Sequence, residues 1–259
     1  MANSVSYENK WELYDRWMII SRKYRYLFIE LPLTASTAIA KELVENYAGE
    51  PILYKHANYR TFLKQASDEE KAYFTFIGVR NPMDQAVSHY YKYLNDHKGK
   101  YSKPQPRKNG RVKYWLNERG HRKRFKFIKD NKASFGDYFL EFYTRPYLDW
   151  SLLDESRMDG IIRFEHIQED FTKVLTDIGV VQKRPLPQIN KTKDKARTFI
   201  DHYDSEELQS RAIEIFGPYM EIWGYSFPSS WEVGEKAGRF KKRFERDLNL
   251  KKVYWSFLS

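Results

Sequence analysis

Tyr26-Leu-Phe-Ile-Glu-Leu-Pro-Leu-Thr-Ala-Ser-Thr-Ala-Ile-Ala-Lys-Glu-Leu43 opens with an apolar, aromatic-rich run bounded by Pro32 and continues with Ile39 and Leu43 at helical spacing. This pattern predicts a strand that passes through a short loop into a helix. The loop holds only small or hydroxyl-bearing residues after Leu33: Thr34, Ala35, Ser36, Thr37 and Ala38. A ligand can approach such a backbone closely. A helix opening there aims unpaired N–H groups and a partial positive charge at whatever lies above it, a field suited to phosphate or sulfate. Ser36 or Thr37 as an ordinary helix N-cap is the simpler alternative. The stretch lacks the glycines and lysine of GxxxxGKS/T, which argues against an ATP-binding P-loop.

Working outward, Pro51-Ile-Leu-Tyr54 reads as a second strand ending at Lys55-His56. Tyr73-Phe-Thr-Phe-Ile-Gly-Val79 reads as a third, stopping at Arg80-Asn81-Pro82, and a helical pattern follows over Met83–Leu94. Phe135–Tyr143 is helical in pattern, Gly160–Phe164 is a fourth strand, and Ile167–Ile178 is a helix closed by Gly179. A further helix is predicted over Ser205–Phe216, capped by Ser205 and stopped by Gly217-Pro218. Strands alternating with helices predict a three-layer α/β fold with a central, mostly parallel sheet flanked by helices. Ligands of such sheets bind beyond the carboxyl ends of the strands, where the opening loop, His56 and Arg80 all fall.

The 259 residues are read as one domain carrying a basic insertion at about 98–129 and a basic tail at about 228–259. The insertion has 13 Lys or Arg against one acid, Glu118. Its 101–110 part is loop-like, 112–127 fits a helix, and Arg239–Arg243 suggests an amphipathic tail helix. The insertion reads as a solvated basic arm, a rim attracting an acidic acceptor, or a nucleic-acid contact. The net charge of +10 points to an anionic partner without choosing one. With no cysteine, thiolate chemistry and disulfides are excluded, and six scattered His without HExxH give no metal site. Most of the 20 Tyr, 17 Phe and 7 Trp are expected in the core. The polar start, Met1–Trp17, is unlike a signal peptide, and no run of about 18 apolar residues occurs. A cytoplasmic location is therefore expected.

Arg80 ends a strand, and Ser88 lies two helical turns on, so a guanidinium and a hydroxyl can meet on one anion. An ion pair for Arg80 and an ordinary helix serine for Ser88 are the alternatives. Together with the opening loop these residues resemble the PAPS-dependent sulfotransferases, which transfer a sulfuryl group from 3′-phosphoadenylyl sulfate. Pro32-Leu-Thr-Ala-Ser-Thr-Ala38 is similar to that family's PKTGGTS loop. Val79-Arg-Asn-Pro-Met-Asp-Gln-Ala-Val-Ser-His-Tyr-Tyr91 nearly completes its second motif, and it is the most specific signal in the chain. Gly160-Ile-Ile-Arg-Phe-Glu-His-Ile167 and Ile222-Trp-Gly-Tyr-Ser-Phe227 extend the likeness.

The resemblance implies a P-loop-like fold in which Thr34–Ala38 grip the 5′-phosphosulfate and Arg80 and Ser88 hold the 3′-phosphate. It makes Lys191, Lys193 and Arg197 lesser nucleotide contacts, or else a solvated basic loop. His56, in a Lys-His context, becomes the base that takes the acceptor's proton, a task suited to a group titrating near neutrality, with Glu30 and Glu50 as carboxylate alternatives that lack comparable motif support. No metal is required, and PAP is the product. Leu33 stands where the family has a lysine that neutralises the leaving phosphate. Low turnover, a substitute cation, or nucleotide binding without transfer follows. The implied acceptor is a hydroxyl, less readily an amine, on a carbohydrate or an acidic small molecule, with phenols, lipids and peptides open. A basic nucleic-acid-binding protein is the remaining alternative.

Overall fold

The computed structural model describes residues 18–53, 59–103, 112–187, 198–234 and 240–258. They form an α/β protein whose compact units draw on Met1–Asn81, Leu148–Lys191 and Arg246–Ser259 in one case, and on Pro82–Tyr147 and Thr192–Glu245 in the other.

The first unit holds a five-stranded mixed sheet in the order β3-β1-β2-β4-β5. Its strands are β1 (Met18–Ser21), β2 (Tyr26–Ile29), β3 (Glu50–Ile52), β4 (Phe74–Val79) and β5 (Gly160–Arg163). β2 pairs parallel with β4, and β4 parallel with β5, whereas β1 runs antiparallel to both β2 and β3. The four predicted strands are present within a residue or two. β1 is the unpredicted one: its four residues precede Arg22-Lys-Tyr-Arg25, a turn without Gly or Asn in which Arg25 itself takes a positive φ of 54°. Pro51 is tolerated because β3 is an edge strand.

Alternation along the strands turns Tyr26, Phe28, Phe76 and Ile162 to one face. There they meet Ile39 and Leu43 of α1 (Ser36–Asn46) and Phe171, Val174 and Leu175 of the helix at Ile167–Asp177. Glu42 of α1 has a fully buried side chain and accepts from Arg184 Nε (3.1 Å), Arg184 Nη2 (2.8 Å) and Asn46 Nδ2 (2.8 Å). This bidentate pair fastens the segment after Gly179 to the helix that begins at the loop. Two short helices, α2 (Tyr59–Leu63) and α3 (Asp68–Lys71), lead into β4.

The second unit is helical. It packs α4 (Pro82–Leu94), α5 (Val112–Asp130), α6 (Phe135–Phe142) and α8 (Glu206–Trp223) around an aromatic core that includes Tyr90, Tyr93, Phe135, Tyr138, Phe139, Tyr203 and Phe216; α7 is the Ile167–Asp177 helix of the first unit. Buried phenols need partners. Tyr90 donates to Ala133 O (3.0 Å), Tyr203 to Met83 O (3.1 Å), and Tyr93 Oη lies 2.7 Å from His121 Nδ1. Ser205 caps α8 as predicted, accepting from Leu208 N at 3.3 Å.

The predicted stop at Gly217-Pro218 is corrected: α8 runs through Pro218 and ends at Gly224, whose φ of 69° favours glycine. An interior proline costs about 3 kcal/mol. Tyr219, Met220 and Trp223 prolong the buried face beyond it and offset that cost. The fitting helix at 112–127 is α5, and it exposes Arg119, Arg122, Lys123, Lys126 and Lys129.

The last helix, α9 (Lys241–Leu258), confirms the predicted tail helix. In the first unit, its Lys251 donates to Leu148 O and Asp149 O, both at 3.0 Å, and Arg60 Nη1 reaches Lys252 O at 3.4 Å. Among the described residues no helix is long and apolar enough to cross a membrane.

Two outcomes follow from these contacts. Removing Arg184 strands a buried carboxylate, so Arg184→Ala lowers the melting temperature more than Arg25→Ala, which breaks an exposed pair with Glu69 and a cation–π contact with Tyr73. Burial, and after it the Lys100 charge, holds His121 below the ordinary histidine pKa. The unfolded chain therefore binds the proton more readily, and stability falls as pH drops below about 6.5. Thermal melts from pH 7.5 to 5 show a steeper decline for the native protein than for His121→Gln.

Candidate functional site

The loop between β2 and α1 turns on two left-handed residues, Leu33 (φ 70°) and Ala35 (φ 58°), both uncommon for residues with a side chain. Ala35 is the N-cap of α1, and no side chain caps it. Ser36 and Thr37 are therefore not caps. As the first residues of the helix their N–H groups have no intrahelical acceptor, and their hydroxyls donate to Glu30 Oε1 at 3.2 and 3.4 Å. Thr34 is buried and donates to Leu31 O at 3.0 Å, so its hydroxyl holds the loop together. Ala38 is buried too, with its N–H on Ala35 O at 2.9 Å.

The loop seats closely against β4. A Cβ built on Gly78 would lie 2.7 Å from Thr34 Oγ1 and 3.0 Å from Thr34 Cβ, so no larger residue fits without displacing the loop. Two residues on, at the end of the strand, Arg80 is buried, and its Nη1 donates to Leu33 O at 3.2 Å. Its guanidinium lies 4.2 Å from the centroid of the Phe164 ring, a cation–π contact just beyond β5. Glu165 accepts from Asn81 N at 2.8 Å. The segments at 32–38, 80–81 and 164–165 thus join at the carboxyl ends of β2, β4 and β5.

Phe164, Glu165 and Gly78 are not among the predicted site residues, and Glu30 enters the sequence reading only as a carboxylate alternative to His56 without motif support. Phe164 and Glu165 lie within the quoted Gly160–Ile167 segment, which was their available signal. Glu50, the other carboxylate close in sequence, pairs with Arg22 at 2.7 Å on the exposed sheet edge. Ser88 is buried on α4 and belongs to the second unit. His56, Lys191, Lys193 and Arg197 lie outside the described residues.

Beside the loop, Ile29 to Pro32 border a small, partly open hollow. Ile77, Leu153 and Met158 supply apolar surface, Tyr59 and Trp150 supply rings, and Glu30 and Asp154 supply carboxylates. Chemically, a hydroxyl-rich helix start with a buried guanidinium at its side suits an oxyanion, and the adjoining hollow suits an uncharged or cationic organic group.

Comparison of the chain with protein-family models, with curated proteins and with solved structures returned no match.

Gly78→Ala forces the loop from its seat, at a cost of about 1–3 kcal/mol for overpacking. Thermal denaturation should show the loss, and Thr34→Ala in the same chain should recover part of it.

Proposed function

We propose that the chain is a sulfotransferase that moves the sulfuryl group of 3′-phosphoadenylyl sulfate to an acceptor hydroxyl, within a P-loop-like, three-layer version of the α/β fold. One observation carries the proposal: the three first-unit segments that resemble the family meet through Arg80, which touches both the loop carbonyl of Leu33 and the ring of Phe164. Residues so far apart in the chain, carried by parallel strands, are what a doubly anchored nucleotide requires.

The donor is a substrate whose two charged ends need different partners. Arg80 and Ser88 are assigned to the 3′-phosphate, with Lys191, Lys193 and Arg197 as further contacts. The start of α1, through its N–H groups and the Ser36 and Thr37 hydroxyls, is assigned to the phosphosulfate, where Thr34, Ala35 and Ala38 contribute backbone alone. Ser36 and Thr37 donate to Glu30 in the structure. Binding the donor then exchanges that carboxylate for sulfate or phosphate oxygens.

In the transfer, the acceptor oxygen forms a bond to sulfur as the bond from sulfur to the bridging phosphate oxygen breaks. The electron pair leaves with the phosphate of PAP, and His56 takes the acceptor's proton. Leu33 brings no charge to the departing oxygen, and the guanidinium beside its carbonyl is Arg80's. That substitution also favours a second reading, in which the nucleotide binds and transfer is slow or absent.

Calorimetric titration with 3′,5′-adenosine bisphosphate tests the nucleotide site. Arg80→Ala should weaken binding about ten- to a hundredfold, the worth of its charged hydrogen bonds; undiminished affinity places the 3′-phosphate elsewhere. In a sulfate-transfer assay His56→Ala should lower turnover about a hundredfold or more while PAP affinity holds. Leu33→Lys should raise turnover, since lysine meets the same left-handed backbone as leucine. Binding without transfer by either the native chain or this variant selects the second reading.

A further inference from the structure

Within the second unit, α5 divides its cations between two flanks that differ in their partners. His121, Phe125 and Ile128 lie on its inner side, where the Tyr101 ring centroid is 5.8 Å from that of His121 and 6.3 Å from that of Phe125. On one flank, Lys123 pairs with Glu141 at 3.5 Å, and both Lys123 and Arg124 lie over the Phe142 ring. On the other, Arg119, Arg122, Lys126 and Lys129 follow one another at steps of three and four residues, and all are exposed. At a rise of about 1.5 Å per residue they make one stripe about 15 Å long. Among the described residues, Arg122, Lys126 and Lys129 enter no ion pair.

The turn after α4 extends this stripe. Asp96 Oδ1 accepts from Tyr101 N at 2.8 Å and Ser102 N at 3.2 Å, which commits that carboxylate to shaping the turn. Lys98, Lys100 and Lys103 stand exposed on it. Burial first, and then the charges of Lys92, Lys98 and Lys100, keep His97 below the ordinary histidine range, as cations gathered without a neutralising acid do. The Lys129 charge reaches Asp96 as well, after that carboxylate's hydrogen bonds from Ser102 and Tyr101, so turn and stripe form one surface. Acids are few here: Glu118 is half-buried, Asp130 closes the helix, and no Asp or Glu occurs from His97 to Asn117. That same stretch of sequence adds Arg107, Lys108, Arg111 and Lys113.

The surface offers charge and little else. Among the described residues the exposed large apolar side chains are Val181, Ile200, Ile222, Leu250, Val253 and Tyr254, none of them on α5 or the turn. The local rings of Tyr93, Tyr101 and Phe125 pack against one another. A bilayer therefore finds no apolar group to admit, and single-stranded nucleic acid finds no ring on which to stack a base. A duplex major groove takes in most of a helix's girth, whereas α5 is held against α4 and α6 and shows a strip. We propose that this strip, with the turn beside it, binds a linear sulfated polysaccharide. Such a chain carries anionic groups along its outside, and a row of point charges is enough to hold it. The surface lies wholly in the second unit, and nothing in the proposal rests on the sulfotransferase reading.

An end-labelled heparin decasaccharide, titrated with the full chain by fluorescence anisotropy at about 0.05 to 0.3 M salt, tests the proposal. The triple variant Arg122→Ala/Lys126→Ala/Lys129→Ala should weaken binding about tenfold or more and flatten the slope of log K against log salt by about two to three. Lys64→Ala/Arg145→Ala/Lys242→Ala removes equal charge from exposed positions elsewhere and should cost no more than about twofold. Since the stripe's cations repel one another, its triple variant should melt no lower than the native protein, and Lys126→Glu alone should weaken heparin more than Lys126→Ala. Hyaluronan, which has a carboxylate on alternate sugars and no sulfate, should bind about tenfold more weakly than heparin. Excess adenosine bisphosphate should leave heparin in place. Equal losses in the two triple variants, an unchanged salt slope, no binding by the native chain, or displacement by the nucleotide overturns the proposal. Hyaluronan, a DNA duplex or phosphatidylserine vesicles held as tightly as heparin at matched anion concentration overturns the choice of partner.

Discussion

The contact on which the first unit's candidate site depends is the reach of the Arg80 guanidinium to the carbonyl of Leu33, with the Phe164 ring beneath it. A guanidinium is planar, permanently charged and rich in donors, so one side chain can hold a loop, stack on a ring and still present charge to an oxyanion. The alignment needs the parallel pairings of β2 with β4 and β4 with β5, because these bring the three strand ends to one edge. It also needs glycine at position 78, since the loop rests where a side chain would be.

The loop shows how a neutral sequence can build a field for anions. Leu33 and Ala35 accept left-handed backbone, at about 1–2 kcal/mol each, and so turn the chain sharply enough to begin α1 over the strand ends. The surrounding contacts hold them there: Thr34 is tied inward to Leu31, Arg80 grips Leu33, and Glu42 deep in α1 is locked by Arg184. Strain of this kind persists only where neighbouring structure over-determines it.

Much of the fold was legible because its signals are local. Apolar runs at 26–29, 74–79 and 160–163 announce strands, and Ser205 announces a helix start, since each depends on residues within a turn or two. β1 escaped because a hairpin closed by Arg22–Arg25 carries none of the usual turn residues, and α8 outran Pro218 because burial decided its length. Within the site, the positions of Arg80 and the loop could be read from motif spacing. The inward hydroxyl of Thr34, the unexpected N-cap at Ala35 and the carboxylate of Glu30 could not, because each is settled by a partner's direction. The hollow was the least legible part. Its walls come from Glu30, Tyr59, Ile77 and Asp154, which only the tertiary fold assembles.

The fastening of Lys251 to the carbonyls of Leu148 and Asp149 has a consequence for how the protein comes into being. Those carbonyls immediately precede Trp150, so one wall of the hollow is braced by a helix that leaves the ribosome roughly a hundred residues later. Synthesis proceeds at about 5–20 residues per second. For several seconds, then, the nascent polypeptide has its loop and strands without the buttress that shapes the neighbouring chamber. That wall is braced only once Lys251 has emerged, whereas the Arg80 clasp can form as soon as Phe164 has.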